Sequence, residues 1–208
     1  MQVKLIEINH KSNKMQWEGR KLKRSEEIRK VLSICGLPGS GKTTAIKAIE
    51  DLGGVVTMGD VVRNEAKKRN LEPSGNKIGK IAKELREEGG SAIIAEKCVD
   101  LIKNRKEKVI YVDGVRSLSE INIFRKFWKF PIIAIIVDEE KRIKRLFERT
   151  RSDDPKSIKD LEERDRREIE FGLDKVLENA DYIIQNNTTI EDLKKKTREV
   201  VIDIINNY

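Results

Sequence analysis

The chain has 208 residues with a formal net charge of +8, 38% of them charged, and it carries a single histidine. That length suits one α/β core with small insertions rather than two large domains, and no apolar run reaches the roughly eighteen residues that would span a membrane. His10 alone builds neither a histidine zinc site nor a serine-protease triad.

The charge is uneven. Residues 1–30 hold nine Lys/Arg against four Glu, leaving +3 for the other 178 residues. The abundance of Lys, Glu and Ile resembles the charge enrichment of hyperthermophile proteins, so most charge runs read as solvated faces. Cys35 and Cys98 both sit in apolar segments and read as free buried thiols of a cytoplasmic protein rather than a disulfide. The N-terminus lacks the charged-then-apolar order of a signal peptide.

In chain order, Gln2–Ile8 is strand-like, and Lys14–Arg24 either returns as a second strand or stays a basic arm. This basic extension, residues 1–30, has two open readings. One is a β-hairpin on the core edge or on a partner subunit, which makes a dimer conceivable. The other is an arm touching nucleic acid, with Trp17 among Arg20, Lys21, Lys23 and Arg24.

Val31–Cys35 reads as a short buried strand. It runs into Gly36-Leu37-Pro38-Gly39-Ser40-Gly41-Lys42-Thr43, followed by Thr44, which fits G-x-x-x-x-G-K-[ST] at every fixed position. Ala45, Ile46, Ala48, Ile49 and Leu52 then recur at helical spacing and predict a helix over Lys42–Leu52. Strand, glycine loop and helix in that order form a phosphate cradle: the glycines let backbone N–H groups turn toward an anion. In such a loop Lys42 reaches the β and γ phosphates of a nucleoside triphosphate and the Thr43 hydroxyl ligates Mg²⁺. The loop does not distinguish ATP from GTP.

Further strands are expected at Val55–Met58, Val109–Val112, Ile132–Val137 and Tyr182–Gln185. Helices are expected at Val61–Arg69, Ile78–Glu88, Ser91–Asn104, Leu118–Phe127, Glu139–Arg149, Ile158–Glu178 and Ile190–Ile205. Strands apolar throughout, each followed by helix, predict a five-stranded parallel sheet covered by helices on both faces. The helical block between strands two and three, and the polar Arg151–Lys156 stretch, read as two insertions over one core.

Asp113 ends a buried strand and precedes Gly114, the position of a second Mg²⁺ contact in phosphate-loop proteins; a helix cap is the alternative. Asp60 and Arg63 follow strand two and Arg116 follows strand three, and the strand tips of such a sheet converge on a ligand crevice. Two arginines there can clamp an anionic acceptor bidentately, and Arg86 is a further candidate. Alone, Asp60 reads as a helix cap and Arg63 as a surface residue, and those readings weaken only when Arg116 is taken with them. Arg142, Arg145 and Arg149 share one helical face, and Arg149 and Arg151 flank a loop from which cations could close over transferring phosphates.

Together the motifs G-L-P-G-S-G-K-T-T at 36–44, M-G-D-V-V-R at 58–63, V-D-G-V-R-S at 112–117, R-S-D-D-P at 151–155 and A-D-Y-I-I-Q-N-N at 180–187 resemble the nucleoside-monophosphate kinase superfamily. Within it they are most similar to an archaeal family of adenylate-kinase-related P-loop NTPases, and the last motif also looks like the end of dephospho-coenzyme A kinases. The resemblance covers Val31 to the end. It implies a P-loop kinase-like domain over 31–208, with an acceptor-binding helical insertion at 59–105 and a lid at 149–167. It also implies that Arg63 grips the acceptor, that Asp113 stands on the metal side with Arg116 as a second acceptor arginine, and that Arg151, Asp153 and Asp154 open the lid. Spacing leaves open whether Arg164 or Arg167 completes that lid. The block from 64 to 105 departs from the adenylate kinase pattern, so the acceptor stays unnamed.

The function expected from the sequence is an ATP- and Mg²⁺-dependent phosphotransferase acting on a small nucleotide-like acceptor. Lys42, Asp60, Asp113, Arg149 and Arg151 would be catalytic, with Asp60 the base if the acceptor is a hydroxyl. The alternatives are an ATPase or nucleotide-gated binding protein with water as acceptor, and an RNA-associated NTP-binding protein.

Overall fold

The structure, a computed structural model, describes residues 29–71, 75–148 and 157–208. The basic extension therefore lies outside the described residues except for Arg29 and Lys30, and so do Arg149, Arg151, Asp153 and Asp154.

Five strands form one parallel sheet in the order β2-β3-β1-β4-β5. They are β1 (Lys30–Cys35), β2 (Gly54–Thr57), β3 (Val109–Asp113), β4 (Ile132–Ile136) and β5 (Tyr182–Gln185). The helices are α1 (Lys42–Lys47), α2 (Met58–Lys68), α3 (Gly75–Gly89), α4 (Ile93–Lys103), α5 (Leu118–Arg125), α6 (Glu139–Glu148), α7 (Ile158–Glu170), α8 (Leu173–Glu178) and α9 (Ile190–Asn207).

The pleat of β1 explains the layering, because successive side chains leave opposite faces. Val31 and Cys35 enter a core built with α2, α3, α4, α5 and α8. Leu32 and Ile34 enter a second core closed by α1 and α9. Both faces are thus covered, as the apolar strands required. Among the described residues no helix is long and apolar enough to cross a membrane, and Cys35 and Cys98 are free and buried.

Three expectations about element bounds need correction. The first helix stops at Lys47: the Ala48 and Ile49 amides already reach back three residues, to Ala45 and Ile46, as the chain tightens toward Gly53-Gly54. Helix α2 starts at Met58, three residues early, which brings Gly59 and Arg63 closer to the sheet end. The helix expected over Ile158–Glu178 is two helices. Gly172 breaks it at φ +100°, a left-handed conformation that side-chain-bearing residues rarely adopt.

Arg29 and Lys30 belong to the core rather than to a free arm. Arg29 donates to the carbonyls of Ile102, Arg105 and Glu107 around the end of α4. Lys30 donates to the Ile205 carbonyl near the end of α9.

The larger core is keyed by Phe124, fully buried and stacked on Phe130 with ring centroids 4.4 Å apart. Phe124→Ala is expected to lower stability by about 3–5 kcal/mol, read as a fall in urea midpoint at unchanged m-value. A loss below about 1 kcal/mol would show that the site collapses around the cavity.

Candidate functional site

The C-terminal ends of β1, β2 and β3 open onto one cavity of about 490 Å³. Its floor is the loop Gly36–Thr44. Gly39 sits at φ +83°, and a Cβ there would lie 2.8 Å from the Leu146 side chain of α6. Gly41 sits at φ +104°, and a Cβ there would lie 2.4 Å from the Asn186 amide nitrogen. Neither position accepts a side chain, and the loop is held from below: Asn186, just past β5, donates to the Ser40 carbonyl at 2.7 Å. The 180–187 motif is therefore a support of the loop in this structure.

Lys42 folds its ammonium onto the loop, donating to the carbonyls of Gly36 at 2.7 Å and Leu37 at 3.2 Å. Burial pulls its pKa below the usual lysine range, and Asp113 opposes that shift. Thr43 and Thr44 line the cavity on the first turn of α1.

Asp113 ends β3, in register with Ile34 of β1 and Thr57 of β2. Burial raises its carboxyl above the ordinary carboxylate range, with Lys42 and Arg116 pulling the other way. Its Oδ1 is buried and accepts no hydrogen bond. The helix-cap alternative fails, because the N-cap of α5 is Ser117, whose Oγ accepts from the Glu120 amide. A buried carboxylate oxygen without a donor, beside a threonine hydroxyl on a phosphate-type loop, is a donor set suited to a hard divalent cation and its waters. Beside it Cys35 contributes a neutral thiol, pushed by burial up to about 12.

The rest of the lining is rich in cations. Arg63, Arg116, Arg145 and Arg164 all line the cavity. Arg116 makes a bidentate pair with Glu168 of α7, at 2.5 and 3.0 Å. Arg164 lines the cavity, whereas Arg167 reaches toward Gly79 on α3. Arg145, on α6, has a buried Nη1 without a partner.

Asp60 is placed differently from expectation. It neither caps α2, whose N-cap is Thr57, nor lines the cavity. Its carboxylate is 61% exposed and pairs with Arg63 at 2.5 Å. Arg86 also stays off the cavity wall: it bonds the fully buried Glu120 at 2.8 Å and lies over the Phe171 ring at 4.6 Å. Arg142, expected on a solvated stripe, is buried, paired with Asp165 at 2.5 and 3.1 Å and reaching the Pro38 carbonyl at 3.3 Å. Glu168 and Glu120 carried no sequence signal, being two acids among 36 Asp/Glu. Arg145 was visible only as one member of the stripe.

Comparison with known proteins agrees with this geometry. The chain is 39% identical over 183 residues to a UPF0200 protein of Thermococcus onnurineus, covering 84% of this chain and 98% of that one. The chain belongs to the UPF0200 family. Another UPF0200 protein, from Methanosarcina mazei, is 37% identical, with 86% and 95% covered. A UPF0200/UPF0201 protein of Archaeoglobus fulgidus is 42% identical, and there the match spans 86% of this chain but only 57% of the longer relative. Residues 35–162 match a family model described as an AAA domain. Among solved structures, the shikimate kinase of Bacteroides thetaiotaomicron superposes with a TM-score of 0.57 at 15% identity, covering 83% of this chain and 98% of that one. The Acinetobacter baumannii shikimate kinase in complex with shikimate gives 0.55 at 14% identity, with 87% and 96% covered. This UPF0200 chain has a P-loop kinase-like fold.

The raised pKa of Asp113 makes stability pH-dependent. Above the ordinary value of 3.8 the folded protein retains a proton that the unfolded chain has lost, so stability falls as pH rises across that window. Asp113→Asn is therefore expected to be more stable than the parent at pH 7 without ligand, with the gap closing toward pH 3.8. Urea melts from pH 3.5 to 8 check this, and a parent protein as stable as the variant at pH 7 would contradict it.

Proposed function

We propose that this UPF0200 protein is an ATP- and Mg²⁺-dependent phosphotransferase that moves the γ-phosphoryl group to a small nucleotide-like acceptor. The observation that carries this reading is one cavity with more cations than a phosphate-type loop alone supplies. The loop with Lys42 and Asp113 lines it, and so do Arg63, Arg116, Arg145 and Arg164. Water as sole acceptor would need no further anion-holding arginines.

In this reading the loop N–H groups hold the triphosphate, and Lys42 leaves the Gly36 and Leu37 carbonyls to follow the β and γ phosphates. Thr43 and Asp113 would hold Mg²⁺, which supplies charge neutralisation to the phosphate oxygens when bound. Arg145 and Arg164, which line the same cavity, would hold negative charge there, and Arg63 and Arg116 would orient the acceptor. An acceptor phosphate needs no base, so the position of Asp60 on Arg63 suits a phosphate acceptor better than a hydroxyl one.

One observation favours an ATPase instead. Both acceptor-side arginines already hold carboxylates, Arg63 on Asp60 and Arg116 on Glu168. A ³¹P NMR time course with ATP and Mg²⁺, with and without AMP, separates the two readings. The expected result is ADP growing at twice the rate of AMP loss without inorganic phosphate. ADP and phosphate rising equally in both tubes would establish the ATPase. Lys42→Ala is expected to slow turnover by at least about 10²-fold. Arg63→Ala should slow transfer to the acceptor and leave nucleotide affinity unchanged. Equal turnover of Arg63→Ala and the parent would remove Arg63 from the acceptor side.

A further inference from the structure

Arg116, in the cavity lining, is held at both its backbone and its side chain. Its backbone N–H donates to Glu120 Oε2 at 2.8 Å, and Glu120, fully buried, is itself bonded by Arg86. Its guanidinium lies 5.9 Å from the Phe171 ring, whose other neighbour is the Arg86 guanidinium. Phe171 is at that place because Gly172 ends α7 there. The donor fork is thus fixed before any ligand arrives, and Glu168 fills it. The Glu168 side chain is only 15% exposed, lines the same cavity, and lies within electrostatic range of Lys42.

We propose that Glu168 is a specificity-determining residue, a built-in competing anion that makes the acceptor wall take a dianionic phosphate monoester and refuse a monoanionic carboxylate. The proposal deepens the phosphotransferase reading and rests on it for the acceptor's position. A ligand carboxylate arriving at Arg116 would exchange like for like. It would gain two hydrogen bonds and release two, against a tethered rival whose effective concentration is in the millimolar range or above. A phosphate dianion brings a second charge and a third oxygen. These can be shared with Arg63, which pairs with Asp60 and not with Glu168, and with Lys42, which Glu168 reaches only through its field. The displaced Glu168 remains on α7 at the cavity edge, which ties acceptor binding to the setting of that helix.

The test reads Arg116 itself. The protein is titrated at pH 8, where a phosphate monoester with a second pKa of about 6 is a dianion, once with methyl phosphate and once with acetate. The Arg116 Nε–H cross-peak, assigned by its loss in Arg116→Lys, is followed by NMR. The expected result is that methyl phosphate shifts the peak and acetate at equal concentration does not. In Glu168→Gln both ligands shift it, and methyl phosphate binds about tenfold or more tightly than to the parent, as expected when a competing charged hydrogen bond is removed. Equal response of the parent protein to the two anions would overturn the proposal, as would a Glu168→Gln protein that binds methyl phosphate no more tightly. If Glu168→Gln fails to fold, an equal response of the parent to the two anions still overturns the proposal. Amide peaks of Gly39 and Gly41 report the loop separately and the ³¹P assay reports transfer, so anion selection and phosphotransfer can fail independently.

Discussion

Lys42 and Asp113 are placed where neither charge is comfortably solvated. Burial lowers the lysine's affinity for its proton and raises that of the aspartate, and their mutual attraction offsets only part of both effects. A buried charge without full compensation is expensive, and proteins keep one mainly where function needs it. The surrounding architecture enforces the placement. Leu146 and Asn186 press on the loop where Gly39 and Gly41 leave no room for a side chain, and the parallel strands carry Asp113 to the same level. The ammonium satisfies itself on two loop carbonyls, and the carboxylate has an oxygen with no donor. A polyanion with a bound divalent cation would relieve both at once.

Helix α7 is the second organising element, because its acids are tied both to the loop and to Arg116. Three residues apart, Asp165 and Glu168 reach in different directions. Asp165 binds Arg142, which also bonds the loop carbonyl of Pro38, and Glu168 binds Arg116 at the end of β3. Such partly buried pairs add little net stability, but removing one partner is costly because it strands the other. Their effect here is geometric: they fix how far α7 stands from the loop and from the end of β3. Gly172 completes the arrangement by ending the helix so that Phe171 sits between the Arg86 and Arg116 guanidiniums.

The fold is that of P-loop kinases, yet low identity to the solved shikimate kinases means that only the scaffold is shared. What distinguishes this chain is the way its acids are used. Asp60 stands on Arg63, Glu120 anchors Arg86 and the Arg116 backbone, and Glu168 occupies Arg116. Asp60 and Glu168 thus stand on cations that line the cavity, and Glu120 holds the backbone of one of them.

The sequence by itself determined the loop, the strands and the tip position of Asp113. These depend on contiguous residues, an eight-residue glycine pattern and short apolar runs, so their chemistry is local. Arg63 and Arg116 were legible as cavity residues for the same reason, since each follows a strand tip closely. The early start of α2 was not legible, nor was the break at Gly172, which spacing carried through as one helix. The roles of the charges also escaped. In a chain with 38% charged residues every helix offers plausible pairs, and those that matter join residues 23, 34 and 52 positions apart. Only the tertiary structure decided that Arg142 is buried, that Arg164 and not Arg167 lines the cavity, and that Glu168 sits on Arg116. An ion pair has no periodicity to read: it depends on which side chains the packed helices bring within a few ångströms, and on how much water they exclude.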